Sequence, residues 1–121
     1  MDWNFNEQDL LDRLEEASDA VLDTLPFGVI AMAGNGTVVS YNGTESRLSG
    51  LMPANVIGRH FFSAVAPCTN NLMVAYRFET EPALDAVFDY VFTLRMQPTA
   101  VRLRLLKQPL RRRMYLVVER R

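Results

Sequence analysis

Segments with β-strand patterning fall into two groups in this chain, and a block of short helical segments separates them. The first group is a hairpin, because Asn35-Gly36 lies between the β-rich runs 28–33 and 37–41, and Asn-Gly is the strongest short hairpin signal. The second group consists of alternating segments at 86–96 and 101–106, followed by a last strand at 114–119. This order predicts an α+β domain whose antiparallel sheet is covered by helices on one side.

The helical segments are short and differ in kind. Residues 1–25 are predicted to be amphipathic, with Asn6 as the N-cap and a second cap at Ser18-Asp19. The apolar stripe of that segment is Leu10, Leu11, Leu14, Ala17, Val21, Leu22 and Leu25. Residues 42–63 should form helical turns interrupted by Gly43, Gly50, Pro53 and Gly58, and 72–78 a helix that stops before Pro82.

Charge is distributed unevenly, although the formal net charge is -1. Residues 1–25 contain eight acidic residues and one arginine, whereas residues 101–121 contain eight basic residues and one acid. The basic end, including Arg111-Arg112-Arg113, could bind phosphate or an anionic surface. Alternatively, the two ends lie against each other within one fold. We favour the second interpretation because it explains both blocks without a partner.

Length and composition are those of one domain. The 121 residues are 49% hydrophobic and 22% charged, which is close to the average for globular proteins. No apolar run approaches the roughly 20 residues that span a bilayer, and the acidic N-terminus does not resemble a signal peptide. The single cysteine excludes an internal disulfide and gives no support for export. We therefore expect a cytoplasmic protein that does not bind membranes.

Conventional active sites find little support in the sequence. His60 is the only histidine, so no Cys/His cluster could hold zinc. A serine or cysteine nucleophile would need His60 as its base, and nothing in the spacing places it there. By itself Cys68 has the pattern of a packed core residue, which is the commonest state of a free cysteine. We expect neither an enzyme nor a metal site.

A family resemblance rests on four segments of the chain. They are LPFGVI (25–30), GNGTVVSYNGTES (34–46), VIGRHFFSAVAPCTN (56–70) and MQPTAVRL (96–103). Together they resemble the photoactive yellow proteins, blue-light receptors of the PAS superfamily, and Val-Ala-Pro-Cys-Thr after Tyr-Asn-x-x-Glu is the specific part. The resemblance implies a PAS fold: a five-stranded antiparallel sheet with short helices on one side, an N-terminal helical cap at 1–25 and the PAS domain at 26–121.

The resemblance also implies a chromophore. Cys68 would carry p-coumaric acid (4-hydroxycinnamic acid) as a covalent thioester, with the Cys68 backbone amide donating to the thioester carbonyl. Matched residue by residue, Tyr41, Glu45 and Ser49 would hold the phenolate end. The other implied pocket residues are Phe61, Val65, Ala66, Pro67, Phe92 and Met96.

Electrostatics gives the matched Glu45 a specific role. Two negative charges about 3.5 Å apart repel by about 4–5 kcal/mol at an effective dielectric of about 20, so a phenolate and a carboxylate in contact share one charge. Burial would raise the pKa of Glu45, which would be neutral in the dark and hydrogen-bonded to the ring oxygen. Light-driven trans-cis isomerisation would then let its proton transfer to that oxygen. The charged carboxylate left in an apolar site would drive local unfolding.

Two departures from the family pattern leave an alternative open. Leu51 stands where the family usually has an arginine that covers the chromophore, and Ser49 replaces a threonine. The alternative is a chromophore-free PAS module that senses or dimerises. In both cases we expect a downstream signalling protein as the partner and no binding to nucleic acid. The sequence leaves open whether the protein forms a weak dimer.

Overall fold

The computed structural model of the chain describes residues 2–93 and 97–121. Its strands are β1 Gly28–Ala33, β2 Val38–Tyr41, β3 Leu84–Phe92, β4 Thr99–Lys107 and β5 Arg113–Arg120. Within the described residues these five strands form one antiparallel sheet in the order β2-β1-β5-β4-β3. The predicted α+β class and the predicted five-stranded sheet are confirmed.

Short helices precede the sheet and fill the connection between β2 and β3. They are α1 Leu10–Glu16, α2 Asp19–Leu22, α3 Gly43–Ser49, α4 Pro53–Val56 and α5 Ala75–Thr80, with a π-helical turn at Phe61–Val65 and a 3-10 turn at Pro67–Thr69. In the part of the chain that the structure describes, no helix is long and apolar enough to cross a membrane.

Side chains alternate between the two faces of the sheet, as strand geometry requires. In β1, Ile30 and Met32 face the connecting helices, whereas Val29 and Ala31 face the N-terminal segment. The main cluster, on the helical face, includes Val56, Phe61, Phe62, Val74, Phe78, Leu103, Leu105, Leu116 and Val118. The second cluster joins Phe5, Leu10, Leu11, Leu14, Leu22 and Leu25 to Phe27, Leu106, Tyr115 and Val117. The N-terminal segment therefore covers the opposite face of the sheet.

The N-terminal segment differs in detail from its prediction. Asn6 is not the N-cap of α1, because its backbone amide bonds to the Asn4 side chain in a turn, and the helix begins after Asp9. The predicted second cap is confirmed, since Ser18 Oγ accepts a hydrogen bond from the backbone amide of Val21. The break changes the phase of the helix, so Val21 is 40% exposed and does not belong to the buried stripe. The domain boundary after residue 25 stays a prediction.

Two helix boundaries were also predicted wrongly. Gly43 does not interrupt a helix but begins α3, because the side chain of Asn42 caps it. The helix expected from residue 72 begins only at Ala75. Asn71 Oδ1 accepts hydrogen bonds from the backbone amides of Met73 and Val74, and such local bonds compete with helix formation.

The acidic and basic ends of the chain lie against each other. Arg111 forms ion pairs with Asp12 at 2.5 Å and with Glu15 at 2.8 Å. Arg104 is 4% exposed and donates to the backbone carbonyls of Phe5 and Glu7. The interpretation that the two charge blocks meet within one fold is confirmed. Exposed pairs contribute only about 0–1 kcal/mol each, so apolar packing and the buried Arg104 hold most of the segment.

Candidate functional site

The start of α3 is fixed by the side chain of Asn42, which is buried and makes four hydrogen bonds. Its Oδ1 accepts from the backbone amides of Val29 at 2.9 Å and Glu45 at 3.0 Å. Its Nδ2 donates to the carbonyls of Leu22 at 2.9 Å and Phe27 at 3.1 Å. An Asn at this N-cap satisfies amides that the helix cannot. Asn42 thereby attaches α3 both to β1 and to the end of the N-terminal segment.

Glu45 lies in the first turn of α3 and is 1% exposed. The sequence match placed it in the site, and its ordinary alternative, a solvated glutamate, is excluded by this burial. Its carboxylate passes over Gly28 in β1, where an added Cβ would lie 2.0 Å from Oε1. A larger residue at position 28 would therefore force the carboxyl end of Glu45 to move. Gly28 is therefore part of what allows a carboxylate to be buried here.

Arg120, near the end of β5, forms an ion pair with Glu45 Oε1. The guanidinium carbon lies 5.9 Å from the centre of the Phe92 ring, within the range of a cation-π contact. The second oxygen of Glu45, Oε2, is buried and has no hydrogen-bond partner among the residues that the structure describes. A buried polar atom without a partner costs roughly 1–3 kcal/mol, so Oε2 is a position where a donor would stabilise the protein.

Two opposing effects act on the pKa of Glu45. Burial raises it, because a carboxylate is poorly solvated there, and the hydrogen bond and charge of Arg120 lower it. The net direction is upward from the ordinary value. The site thus favours the neutral carboxyl more than water does, even with an arginine in contact.

Tyr41 and Ser49 form a buried hydroxyl pair beside Glu45. Tyr41 ends β2, and its hydroxyl is 2.8 Å from Ser49 Oγ in the last turn of α3. Burial, and then the negative charge of Glu45, raise the pKa of Tyr41, so the phenol stays protonated near neutral pH. Ser49 Oγ also accepts from the backbone amide of Leu51 at 3.2 Å. The three matched residues lie together, although Tyr41 belongs to the strand and not to the helix.

Cys68 lies in the 3-10 turn between the π-helical turn and α5, and its thiol is partly buried. The hydroxyl of Tyr90 in β3 donates to the Cys68 carbonyl at 2.6 Å, and Asn71 Nδ2 donates to the same oxygen at 3.2 Å. Thr69 Oγ1 closes the turn by donating to the Ala66 carbonyl at 2.6 Å. The backbone that carries the thiol is therefore held from both sides.

The structure brings most of the predicted pocket residues to one face of the sheet. The buried members of the main cluster include Tyr41, Phe61, Ala66 and Phe92, and Val65, Cys68 and Leu51 pack against it. Pro67 is exposed and begins the 3-10 turn, so it shapes the backbone of the turn rather than the buried cluster. Met96 lies outside the described residues.

Four residues of this site were missed by sequence reasoning: Gly28, Asn71, Tyr90 and Arg120. A signal existed only for Tyr90, which shares a predicted strand face with Phe92. Arg120 is 75 positions from Glu45 and was counted with the basic end of the chain. Among the described residues, no group of His, Cys, Asp and Glu could hold a metal ion.

Comparison with known proteins shows the family to which the chain belongs. The family model for the PAS fold matches residues 16–116. The photoactive yellow protein of Rhodothalassium salexigens is 40% identical over 101 residues, which cover 81% of each chain. That of Halochromatium salexigens is 37% identical over 107 residues, 86% of each chain.

A solved structure gives the same result. The photoactive yellow protein domain from the sensor histidine kinase Ppr of Rhodospirillum centenum has a TM-score of 0.83 and 41% identity, and the alignment covers 90% of this chain and 98% of that domain. These relatives support a photoreceptor-type function. The chain belongs to the photoactive yellow protein family, within the PAS fold.

Proposed function

We propose that this protein is a blue-light receptor that carries p-coumaric acid as a thioester on Cys68. The observation that supports it best is the buried carboxyl of Glu45, which lies beside the buried Tyr41–Ser49 pair. Its Oε2 has no hydrogen-bond partner within the described ranges 2–93 and 97–121. A buried ionisable group with a raised pKa is typical of a functional site. The receptor would act in the cytoplasm on a downstream signalling protein.

The residues of the site fit such a group. A phenolic ring needs an apolar wall, and Phe61, Ala66 and Phe92 are buried in the same cluster against which Cys68 packs. Its oxygen needs hydrogen-bond donors, which Tyr41 and a neutral Glu45 supply. Cys68 packs at the edge of the cluster and is only partly buried, which favours attack of its thiol on an acyl donor.

When bound, the chromophore supplies absorption of blue light and a double bond that isomerises from trans to cis. The chain's own residues do the rest. Tyr90 and Asn71 hold the backbone of Cys68, and the Cys68 amide is a donor for the thioester carbonyl. Tyr41, with Ser49 behind it, keeps a phenolic proton because its pKa is raised. Glu45 would hold a proton in the dark and would pass it to the phenolate oxygen of the bound group after illumination.

Loss of that proton leaves a charge inside the fold. A buried carboxylate is costly, and α3, which carries it, is bonded through Asn42 to the end of the N-terminal segment. The free-energy cost of that charge can therefore loosen the N-terminal segment before the rest of the fold. We propose that residues 1–25 act as a cap, whose release exposes a surface for the partner. One observation favours the alternative of a chromophore-free sensor: Arg120 already satisfies half of the Glu45 carboxylate without a ligand.

An absorption spectrum separates the two functions. Purified protein incubated with activated p-coumaric acid should develop a blue-absorbing band that bleaches on illumination and recovers in the dark. The control is the same protein without the donor, which should stay colourless in the visible range. If donor-treated protein also stays colourless, the chromophore-free module is the better description.

Replacing Glu45 by glutamine tests the role of its carboxyl. The variant should still bind the chromophore, but an amide is a weaker donor than a carboxylic acid, so the absorption maximum should move to longer wavelength. Because an amide gives up no proton at neutral pH, the light-induced bleaching should also change. The measurement is a dark spectrum with flash kinetics, and an unchanged spectrum and unchanged kinetics would remove Glu45 from the site.

A further inference from the structure

Arg120 enters the site because of the topology of the sheet. Its side chain lies on the same face as Leu116 and Val118, since alternate residues of a strand share a face, and both belong to the main cluster. β5 pairs with β1, where Gly28 lies opposite Val118. Two residues further along β5, Arg120 therefore reaches the carboxylate that crosses Gly28.

We propose that Arg120 is the counterion of Glu45, which it pairs with whenever that carboxyl is ionised: in the chromophore-free protein, and again after Glu45 has lost its proton in the light. The part that concerns illumination rests on the proposed function. The ion pair with Arg120 would then set how much of the free-energy cost of the buried charge is left to loosen the fold.

The contacts support this role over a purely structural one. The side chain of Arg120 is 18% exposed and that of Glu45 is 1% exposed, so water screens the pair weakly. Removing one member of a buried pair leaves the other charge uncompensated, and a carboxyl in that position takes up a proton instead. When Glu45 is protonated it forms no ion pair with Arg120, so its oxygens can hydrogen-bond to another group.

Among the described residues, Arg120 from β5 is the charged group that acts on the pKa of Glu45. The charge of Glu45 in turn acts on the Tyr41 phenol at the end of β2, and Gly28, the β1 residue under the carboxylate, has no ionisable side chain. Tyr41 stays neutral because its pKa is raised. Protonation of Glu45 thus reports the presence of Arg120 directly.

The test uses the chromophore-free protein. The infrared carbonyl band of the protonated Glu45 carboxyl, identified by its loss in Glu45→Gln, is followed against pH in wild type, Arg120→Met and Arg120→Lys. Methionine keeps an apolar stem at this position but removes the charge, so the midpoint should rise by at least about one pH unit. Lysine keeps the charge, so Arg120→Lys should bring the midpoint most of the way back to that of wild type. Arg121→Met is the matched control, because Arg121 pairs with the exposed Asp89, and its midpoint should equal that of wild type.

Stability against pH gives a second readout in the same proteins. A carboxyl whose pKa is raised by folding contributes stability at low pH, which is lost as the pH rises through the folded-state pKa. Between the unfolded-state and the folded-state pKa of Glu45, the free energy of unfolding should fall by more in Arg120→Met than in Arg121→Met. Equal midpoints and equal pH profiles in wild type and Arg120→Met would show that Arg120 is not the counterion of Glu45.

Flash photolysis of the loaded proteins tests the light-dependent part. If Arg120 stabilises the ionised Glu45 of the illuminated state, Arg120→Met should return to the dark state faster than wild type, and Arg121→Met should not. Equal recovery would overturn the light-dependent role. If no protein takes up the chromophore, the proposed function fails, whereas the infrared midpoints still decide the counterion.

Discussion

Illumination of the loaded protein is expected to increase backbone hydrogen exchange in residues 2–25 at least about tenfold and to leave β3, Leu84–Phe92, unchanged. A tenfold change corresponds to about 1.4 kcal/mol, and an ionised carboxylate in a buried site costs more than that. Arg120 offsets part of the cost by pairing with Glu45. The remainder acts on the least stable contacts that are connected to α3.

Those contacts belong to the N-terminal segment. Thr44 Oγ1 donates to the Leu25 carbonyl at 2.5 Å, and the Gly43 amide donates to Asp23 Oδ1 at 2.7 Å. With the bonds of Asn42, they attach the first turn of α3 to residues 22–27. A displacement of α3 by the Glu45 charge therefore reaches this segment directly. Local opening starts where few contacts must break.

Hydrogen exchange in dark and light measures this release. Glu45→Gln is the matched control, because it keeps the fold and the chromophore but leaves no charge, so its N-terminal peptides should be equally protected in both states. Equal protection of residues 2–25 in dark and illuminated wild type, while the chromophore still cycles, would exclude this signalling route.

Local patterns were enough to predict the sheet and its two faces. Alternation at 86–96 and 101–106 anticipated β3 and β4, and Asn35-Gly36 anticipated the β1–β2 hairpin. These features depend on side-chain period and turn chemistry, which are local. The wrong boundaries have local causes too, because the side chains of Asn4 and Asn71 bond to nearby backbone amides and delay the helices.

The site could be predicted only in part, since its partners come from distant strands. The family resemblance identified Tyr41, Glu45, Ser49 and Cys68 as candidate site residues. The structure places the first three in one buried group. Nothing in the spacing says that β5 lies between β1 and β4, which is what brings Arg120 to Glu45. The need for glycine at position 28 likewise appears only when the carboxylate crosses it.

Replacing Cys68 by alanine is expected to abolish chromophore attachment completely. Cys68 is the only thiol in the chain, and no other side chain forms a thioester. The change should leave the fold intact, because the thiol is partly exposed and the turn is held through backbone atoms by Tyr90, Asn71 and Thr69. Circular dichroism and thermal unfolding of the variant check that control, and the variant should show no blue-absorbing band.

The most direct measurement is the intact mass of wild type and Cys68→Ala after incubation with activated p-coumaric acid. The proposed receptor predicts that wild type gains the mass of one p-coumaroyl group, that mild thioester cleavage removes it, and that the alanine variant gains nothing. An adduct of the same mass on Cys68→Ala, or no adduct on folded wild type, would contradict it.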